Sequence, residues 1–495
     1  MTRVLLLVFV VGVLPAAAQD GSGVVSLPTV MGPIPVTADS YPLMASHTLQ
    51  NVVDLPKAGY VEEEFFVSGR ANVYDWAADG TAVIRTPAAP YTTRILVRRP
   101  ADPARFSGNA IVEIGNVGRR FDFSFTWGVS HDHFMENGDA WVGITFAPDN
   151  IAGLKAFNPT RYAPLTMANP TAEDRCAAAA GADPSLAAME EGLRWDMISQ
   201  VGALLKAARP GGPLAGFNVQ RVFATSHGGE LATYIAIFHP RARLAAGTPV
   251  YDGYIQHRHP GLTRLRQCGA PAAAAHPRQI IRNLDVPVMR IVAQTDVLIT
   301  YARRRDDSDA PGDRYRLYEI AGAPHADGSF YPYIPIVADE KKAGGAADLA
   351  SWPFPEQCQP EIALLRVPIM TYALDAAFAN LTRWVRDGVP PPRAERIAVQ
   401  DGGTPKARVV LDDVGNAVGG VRSPYVDVPA ATYYTSTKGP GLCGNLAHSE
   451  PFKWARLETL YGSSRNYAAK VAASVDRLVK DRWLTESDGR KITAE

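Results

Sequence analysis

A chain of 495 residues, 46% apolar and 20% charged, is long enough to bury a large core and has the balance of a folded globular protein. Its 50 basic and 50 acidic residues cancel, which excludes, for the chain as a whole, the basic surface of a nucleic-acid binder and a polybasic membrane contact. The length suits one elaborated domain with an addition, and no internal repeat or low-complexity tract divides it.

Arg3 precedes an apolar run from Val4 to Leu14, and Pro15 to Ala18 supply small residues before Gln19. That order predicts a secretory signal peptide over residues 1–18. The run is too short to span a bilayer, and no cysteine stands near the cleavage point for a lipid anchor. Residues 24–60 are proline-rich and irregular. Glu62 to Ser68 and Thr92 to Arg99 read as early antiparallel strands with a loop between them. Asn109 to Gly115 and Ala140 to Phe146 are short apolar runs suited to central strands. Leu186 to Ala208 carries Leu193, Met197, Val201, Leu204 and Leu205 at helical spacing.

Val219 to Phe223 then leads into a turn on Ser226, followed by Leu231, Tyr234, Ile235 and Phe238 at helical spacing. Leu244 to Val250 reads as the next strand, and 251–285, rich in Pro, Arg and His, as an insertion or lid. Val286 to Thr295 and Tyr315 to Ile320 are further core strands. Residues 330–366 form a second irregular excursion, and Leu364 to Val385 an amphipathic helix. Pro390 to Pro392 mark a boundary. Beyond it lie strand-like pieces at Ile397–Val399 and Arg408–Leu411 and a helix from Arg465 to Arg482. Strands alternating with helices predict an α/β fold with a mostly parallel central sheet flanked by helices. The expected division is a catalytic domain over 19–389, with insertions at 251–285 and 330–366, and a packed C-terminal extension over 390–495.

A serine at a strand-to-helix turn is the arrangement of a nucleophile elbow, which lifts the hydroxyl above the sheet and aims helix N–H groups at developing negative charge. Close crossing of strand and helix requires small residues two before and two after, here Ala224 and Gly228 around Ser226. Such a serine needs a histidine base, and the histidine a carboxylate to fix its tautomer. Asp296 closes the Val286–Thr295 strand, and His325 follows the Tyr315–Ile320 strand. The order serine, acid, histidine is that of α/β-hydrolases. Asp252, Asp306, Asp307 and Asp309 compete with Asp296 for the acid role; otherwise they are solvated loop charges. Ser226 taken alone also reads as a helix cap, and His325 as a loop histidine bonded to backbone.

Two backbone amides must face the tetrahedral oxygen. The His227 amide is one candidate, and Asn116 or Val117, in the loop after the Asn109 strand, the other. His131 with His133, and His257 with His259, are spaced so that a strand would put each pair on one face, as a metal site can require, but neither has a third ligand nearby. No metal is assigned, and no glycine-rich phosphate loop implies a cofactor. Cys176, Cys268, Cys358 and Cys443 form no C-x-x-C pair; in an oxidising compartment they would make two disulfides, by any of three connectivities.

On these residues the chain resembles a group of secreted bacterial α/β-hydrolases with a long C-terminal extension. The likeness rests on the Ser226 segment, Thr295-Asp296 and Ala321 to Asp327. It continues through Asp413 to Pro429, Pro451 to Trp454 and Leu460 to Gly462. The resemblance implies hydrolysis of an ester or related acyl bond and names no substrate. The reading is a secreted serine esterase using Ser226, His325 and Asp296 on a small-molecule or polymeric ester. No nucleic acid is involved, no membrane span remains in the mature chain, and the oligomeric state is open. A peptidase or carbohydrate esterase on the same triad, or a catalytically silent binding protein on the same fold, are the alternatives.

Overall fold

The computed structural model describes residues 23–116, 119–171, 184–325, 333–346, 358 and 367–494. A ten-stranded sheet runs through the molecule in the order β1-β2-β3-β5-β4-β6-β7-β8-β10-β9. The strands are β1 (Thr29–Met31), β2 (Tyr60–Trp76), β3 (Ala82–Pro100), β4 (Asn109–Ile114), β5 (Ala140–Ile144), β6 (Arg221–His227), β7 (Gly253–His257), β8 (Val288–Ala293), β9 (Ser308–Ala310) and β10 (Asp313–Ile320). From β5 through β4, β6, β7 and β8 to β10 every pairing is parallel, while β1, β2, β3 and β9 are antiparallel to their neighbours.

Every residue of β4, β5, β6, β7 and β8 is buried. That pattern is expected of parallel strands covered on both faces. Helices α1 (Phe125–Asn137) and α5 (Ile369–Asp387) pack on each other and on β6 and β7. Helix α3 (Arg194–Ala207) packs against β2, β4 and β6, and α2 (Pro148–Phe157) follows β5. No described helix is long and apolar enough to cross a membrane.

Two sequence expectations are corrected. The early strands reach much further than expected: β2 and β3 pair from Tyr60–Pro100 to Trp76–Ala82 as one long hairpin with register shifts near Val73, and the loop between them is only 77–81. Pro87 falls in the irregular stretch between the Ala71–Ala89 and Val73–Thr86 pairs, where a missing N–H is tolerated. Leu244 to Val250 is not a strand; the next one is β7, which lies within the expected 251–285 insertion. Its Tyr254, Ile255, Gln256 and His257 are buried between β6 and β8, so the irregular segment begins only after it. Most of the second excursion, 347–357 and 359–366, lies outside the described residues.

The last hundred residues contribute to the main core through Ile397, Ala417, Val421, Val426, Tyr433 and Leu446. They also carry two small hairpins, β11 (Val399–Gln400) with β12 (Arg408–Val409) and β13 (Ala431–Tyr434) with β14 (His448–Pro451). Helices α6 (Trp454–Tyr461), α7 (Ser464–Lys480) and α8 (Glu486–Ala494) end the chain. Val421 N–H donates to the Glu319 carbonyl at 2.7 Å, so this segment continues the edge of β10. Cys358 and Cys443 are bridged across 85 residues. Cys268 is also disulfide-bonded, and Cys176 lies outside the described residues.

Candidate active site

Parallel pairing sets the ends of several strands side by side: Ile114 opposite Ser226, Ser226 opposite Gln256, His257 opposite Ile291, and Ala293 opposite Ile320. The loops that leave these C-terminal ends therefore converge on one edge, where ligands of open α/β sheets bind. Asp296 and His325 meet there. His325 Nδ1 lies 2.8 Å from Asp296 Oδ2 and 3.1 Å from Oδ1. Asp296 is 1% exposed and the His325 ring 13%. Burial alone would raise the Asp296 carboxyl, but the hydrogen bond and charge of His325, with Arg258, outweigh it and hold the group below its usual range. The Asp296 contacts engage Nδ1 of His325, and no hydrogen bond to its Nε2 occurs among the described residues.

Ser226 is placed differently from the expectation. The strand does not turn on it: β6 runs through Ser226 and His227, and the chain bends at Gly228 before helix α4 (Gly229–Thr233), which widens into a π turn over Tyr234–Phe238. Ser226 is not among the residues with left-handed backbone. The glycine pair takes the close approach instead, since a Cβ on Gly229 would lie 2.8 Å from the Gly261 carbonyl oxygen. The Ser226 hydroxyl donates to the Ile114 carbonyl at 2.8 Å, and no hydrogen bond joins it to His325. Neighbouring residues of a strand face opposite ways. It is accordingly the His227 ring that meets His325, edge to face with centroids 4.6 Å apart.

His227 is one member of an aromatic cluster. Its ring lies 4.3 Å from that of His257, and Phe125 stacks on His257 at 4.8 Å. Burial, then the neighbouring histidines, push His227 and His257 well below the usual histidine range, so both are neutral at ordinary pH. Both ring nitrogens of His257 and Nε2 of His227 are buried without a hydrogen-bond partner. Beside them Gln256 Nε2 donates to the carbonyls of Gly228, His257 and Arg258, clamping the turn to the end of β7.

The remaining expected positions are accounted for locally. The Asn116 amide donates to the Phe123 carbonyl at 3.0 Å, closing a small loop, so its single hydrogen is not free for an oxyanion. Val117 lies outside the described residues. The His227 amide stands at the C-terminal end of β6. Asp252 precedes β7, at the far edge of the sheet, where it accepts from Lys206 Nζ and the Val222 amide at 2.8 Å each. Asp307 pairs with Arg396, and Asp309 with Arg316 and Arg393. His131 and His133 lie on helix α1, where a spacing of two does not put them on one face. His131 Nδ1 is 3.0 Å from the Trp127 carbonyl, and His259 Nε2 is 2.8 Å from that of Gln279. Among the described residues no group of three or more such side chains is placed to hold a metal ion.

Two residues were not singled out in the sequence. Glu113, buried on β4, accepts the Thr126 and Trp127 amides at 2.6 and 2.9 Å and so caps helix α1 below Phe125. Burial pushes its carboxyl up to about 7 against these donors. Arg258 stands between His257 and His259 in sequence, and its Nε is 3.1 Å from Asp296 Oδ1. An acid on an otherwise apolar strand is a legible cue for the first; a left-handed arginine has no sequence cue.

With sheet, strand-end site and His–Asp pair in view, the chain belongs to the alpha/beta hydrolase domain family, whose model matches residues 30–494. No curated protein matches the sequence. Solved structures that resemble it in part include a thermostable esterase from Pseudomonas putida, at 14% identity and a TM-score of 0.32, covering 59% of this chain and 82% of that one. Esterase Est22 aligns at 10% identity and a TM-score of 0.29, over 59% and 80% of the two chains. A poly(aspartic acid) hydrolase from Sphingomonas sp. KT-1 aligns at 11% identity and a TM-score of 0.24, over 43% and 72%. Values this low say nothing about the chemistry of this chain.

Proposed function

We propose that this α/β-hydrolase is a serine esterase in which Ser226 attacks the carbonyl of a carboxylic ester or related acyl bond, His325 takes the serine proton, and Asp296 orients His325. The observation that carries the reading is the His325–Asp296 pair at 2.8 Å, buried on the acid side, at the C-terminal end of the sheet near which β6 carries Ser226. Attack requires the Ser226 hydroxyl to exchange its bond to the Ile114 carbonyl for one to His325 Nε2. Catalytic hydrogen bonds of this type often tighten only with substrate bound. The His227 amide serves as one oxyanion donor. His325 passes that proton to the departing alcohol as the acyl-enzyme forms; water then attacks the acyl carbon, giving a proton to His325, which returns it to Ser226 as the carboxylic acid leaves. A peptidase or carbohydrate esterase would use the same groups. The disulfides support export into an oxidising compartment.

A second reading is favoured by one observation: the serine hydroxyl is committed to a backbone carbonyl while a neutral imidazole, His227, occupies the face of His325. On that reading the fold is catalytically silent and binds without turnover. Labelling with a fluorophosphonate probe separates the two. Wild type labelled, with S226A and H325A blank, establishes the esterase reading; a folded wild type that stays unlabelled establishes the silent one.

A further inference from the structure

Arg258 is the first residue after β7 and has φ of 58°, a left-handed backbone that a non-glycine residue adopts only when its surroundings enforce it. Here they do. Its N–H donates to the Ile291 carbonyl at 2.8 Å, and its own carbonyl accepts from Gln256 Nε2 at 2.9 Å. This bracing carries the side chain back over the strand ends, where Nε comes to 3.1 Å from Asp296 Oδ1. The same carboxylate holds His325 Nδ1. Arg258 Nε has no hydrogen-bond partner, so the contact with Asp296 is one of charge and not a directed bond. The groups that face this carboxylate and its histidine are His227 from β6, His257 from β7, and Arg258. Both flanking histidines are neutral, so among the described residues Arg258 is the fixed cation beside the pair.

We infer that Arg258 is a positioning residue for the proposed reaction, pinning the Asp296 carboxylate and sharing its charge with His325. The inference rests on the esterase reading above. A carboxylate divided between two cations stabilises each less than it would stabilise one alone. With the guanidinium gone, the whole carboxylate charge falls on the imidazolium, which is then favoured over the free base. The acid limb of the rate profile must then move to higher pH. The carboxylate, held from one side only, also orients the ring less well.

The test is the pH dependence of kcat and KM on p-nitrophenyl butyrate for wild type, R258Q, R258G and R258K. Glycine accepts the left-handed backbone without strain, so R258G removes the charge even where R258Q fails to fold. The expected result for R258Q and R258G is an acid limb about one pH unit higher and a kcat about tenfold lower at little cost in KM, with R258K close to wild type. An acid limb that does not move in folded R258G, or one that moves equally in R258K, overturns the role. A wild type that neither turns over the ester nor takes the fluorophosphonate label overturns the esterase reading and this inference with it. A labelled, active wild type with unmoved variants overturns this inference alone.

Discussion

Two buried polar clusters lie on opposite sides of β5 and β4, and they are built on opposite terms. In the first, Glu64 accepts from Arg161 Nε at 2.6 Å and from Tyr162 at 2.9 Å, and Arg94 spans Glu64 at 3.4 Å and Asp122 at 2.9 Å. Asn150 donates to the second oxygen of Asp122 at 2.7 Å, and Arg94 reaches the Leu43 carbonyl at 2.8 Å. The second cluster is the strand-end site, where the nitrogens of His257, Nε2 of His227 and Nε of Arg258 are buried without hydrogen bonds. Asn150 Oδ1 and Arg161 Nη2 of the first cluster also lack hydrogen bonds, but its charges are paired, and a buried network of paired charges behaves as scaffold because any exchange leaves a charge uncompensated. A cluster of unpartnered neutral rings loses little when a neighbour moves. The molecule thus fixes the loop that carries Asp122 and leaves room for rearrangement around His325.

The sharpest way to break this contrast is in the site itself. S226A should lower the esterase rate by about a thousandfold or more while changing stability by less than about 1 kcal/mol. A combined rate and urea-denaturation measurement reads both, and a large loss of stability would assign Ser226 to the scaffold. In the charge-paired cluster the order reverses. E64A leaves buried Arg161 without its carboxylate and Arg94 with Asp122 alone, and should cost about 3–5 kcal/mol in denaturation; a cost under about 1 kcal/mol would remove the contrast between the two clusters.

A third cluster sharpens it through pH. Asp375 on α5 is buried against Asp488 and Lys491 of α8, and burial, followed by the charge of Asp488, raises its carboxyl well above the usual range. A carboxyl raised in the folded state contributes fully below its unfolded value, near pH 4, and loses that contribution as pH climbs toward the folded one. D375N should therefore match wild type near pH 4 and exceed it by about 1–2 kcal/mol at pH 8, as read by melting curves across pH. An advantage that is greatest in acid would refute the assignment. The smallest effect belongs to H257F. The substituted ring keeps the stack on Phe125 and removes two unpartnered nitrogens. Stability should stay within about 1 kcal/mol of wild type or rise; a loss beyond that would reveal a partner for the imidazole.

Much of the fold was legible because the central strands are unbroken apolar runs, such as Ala110 to Ile114 and Val288 to Ala293, which suit only a sheet covered on both faces. β7 was missed because Gly253-Tyr-Ile-Gln-His257 carries polar residues whose burial depends on neighbours distant in sequence, while the more apolar Leu244–Val250 contains the turn at Gly247. In the site, the order of Ser226, Asp296 and His325 pointed to three strand ends, and the last two do meet. The direction of the serine was not legible. A strand that runs one residue further exchanges the side chains it presents on each face, and which of Ser226, His227 and Gly228 ends the strand is decided by pairing with β7.

The bridge between Cys358 and Cys443 has a consequence for how the chain would respond to a protease. A cut in the proline-rich stretch at 390–392 would leave a fragment of about a hundred residues joined to the rest by that one bond and by shared core. Because Thr295 donates its hydroxyl to the Thr435 carbonyl at 2.7 Å, one residue from Asp296, that fragment also forms part of the floor under the acid. The two pieces of a nicked molecule would travel as one until reduced, and only reduction would let the site feel the break.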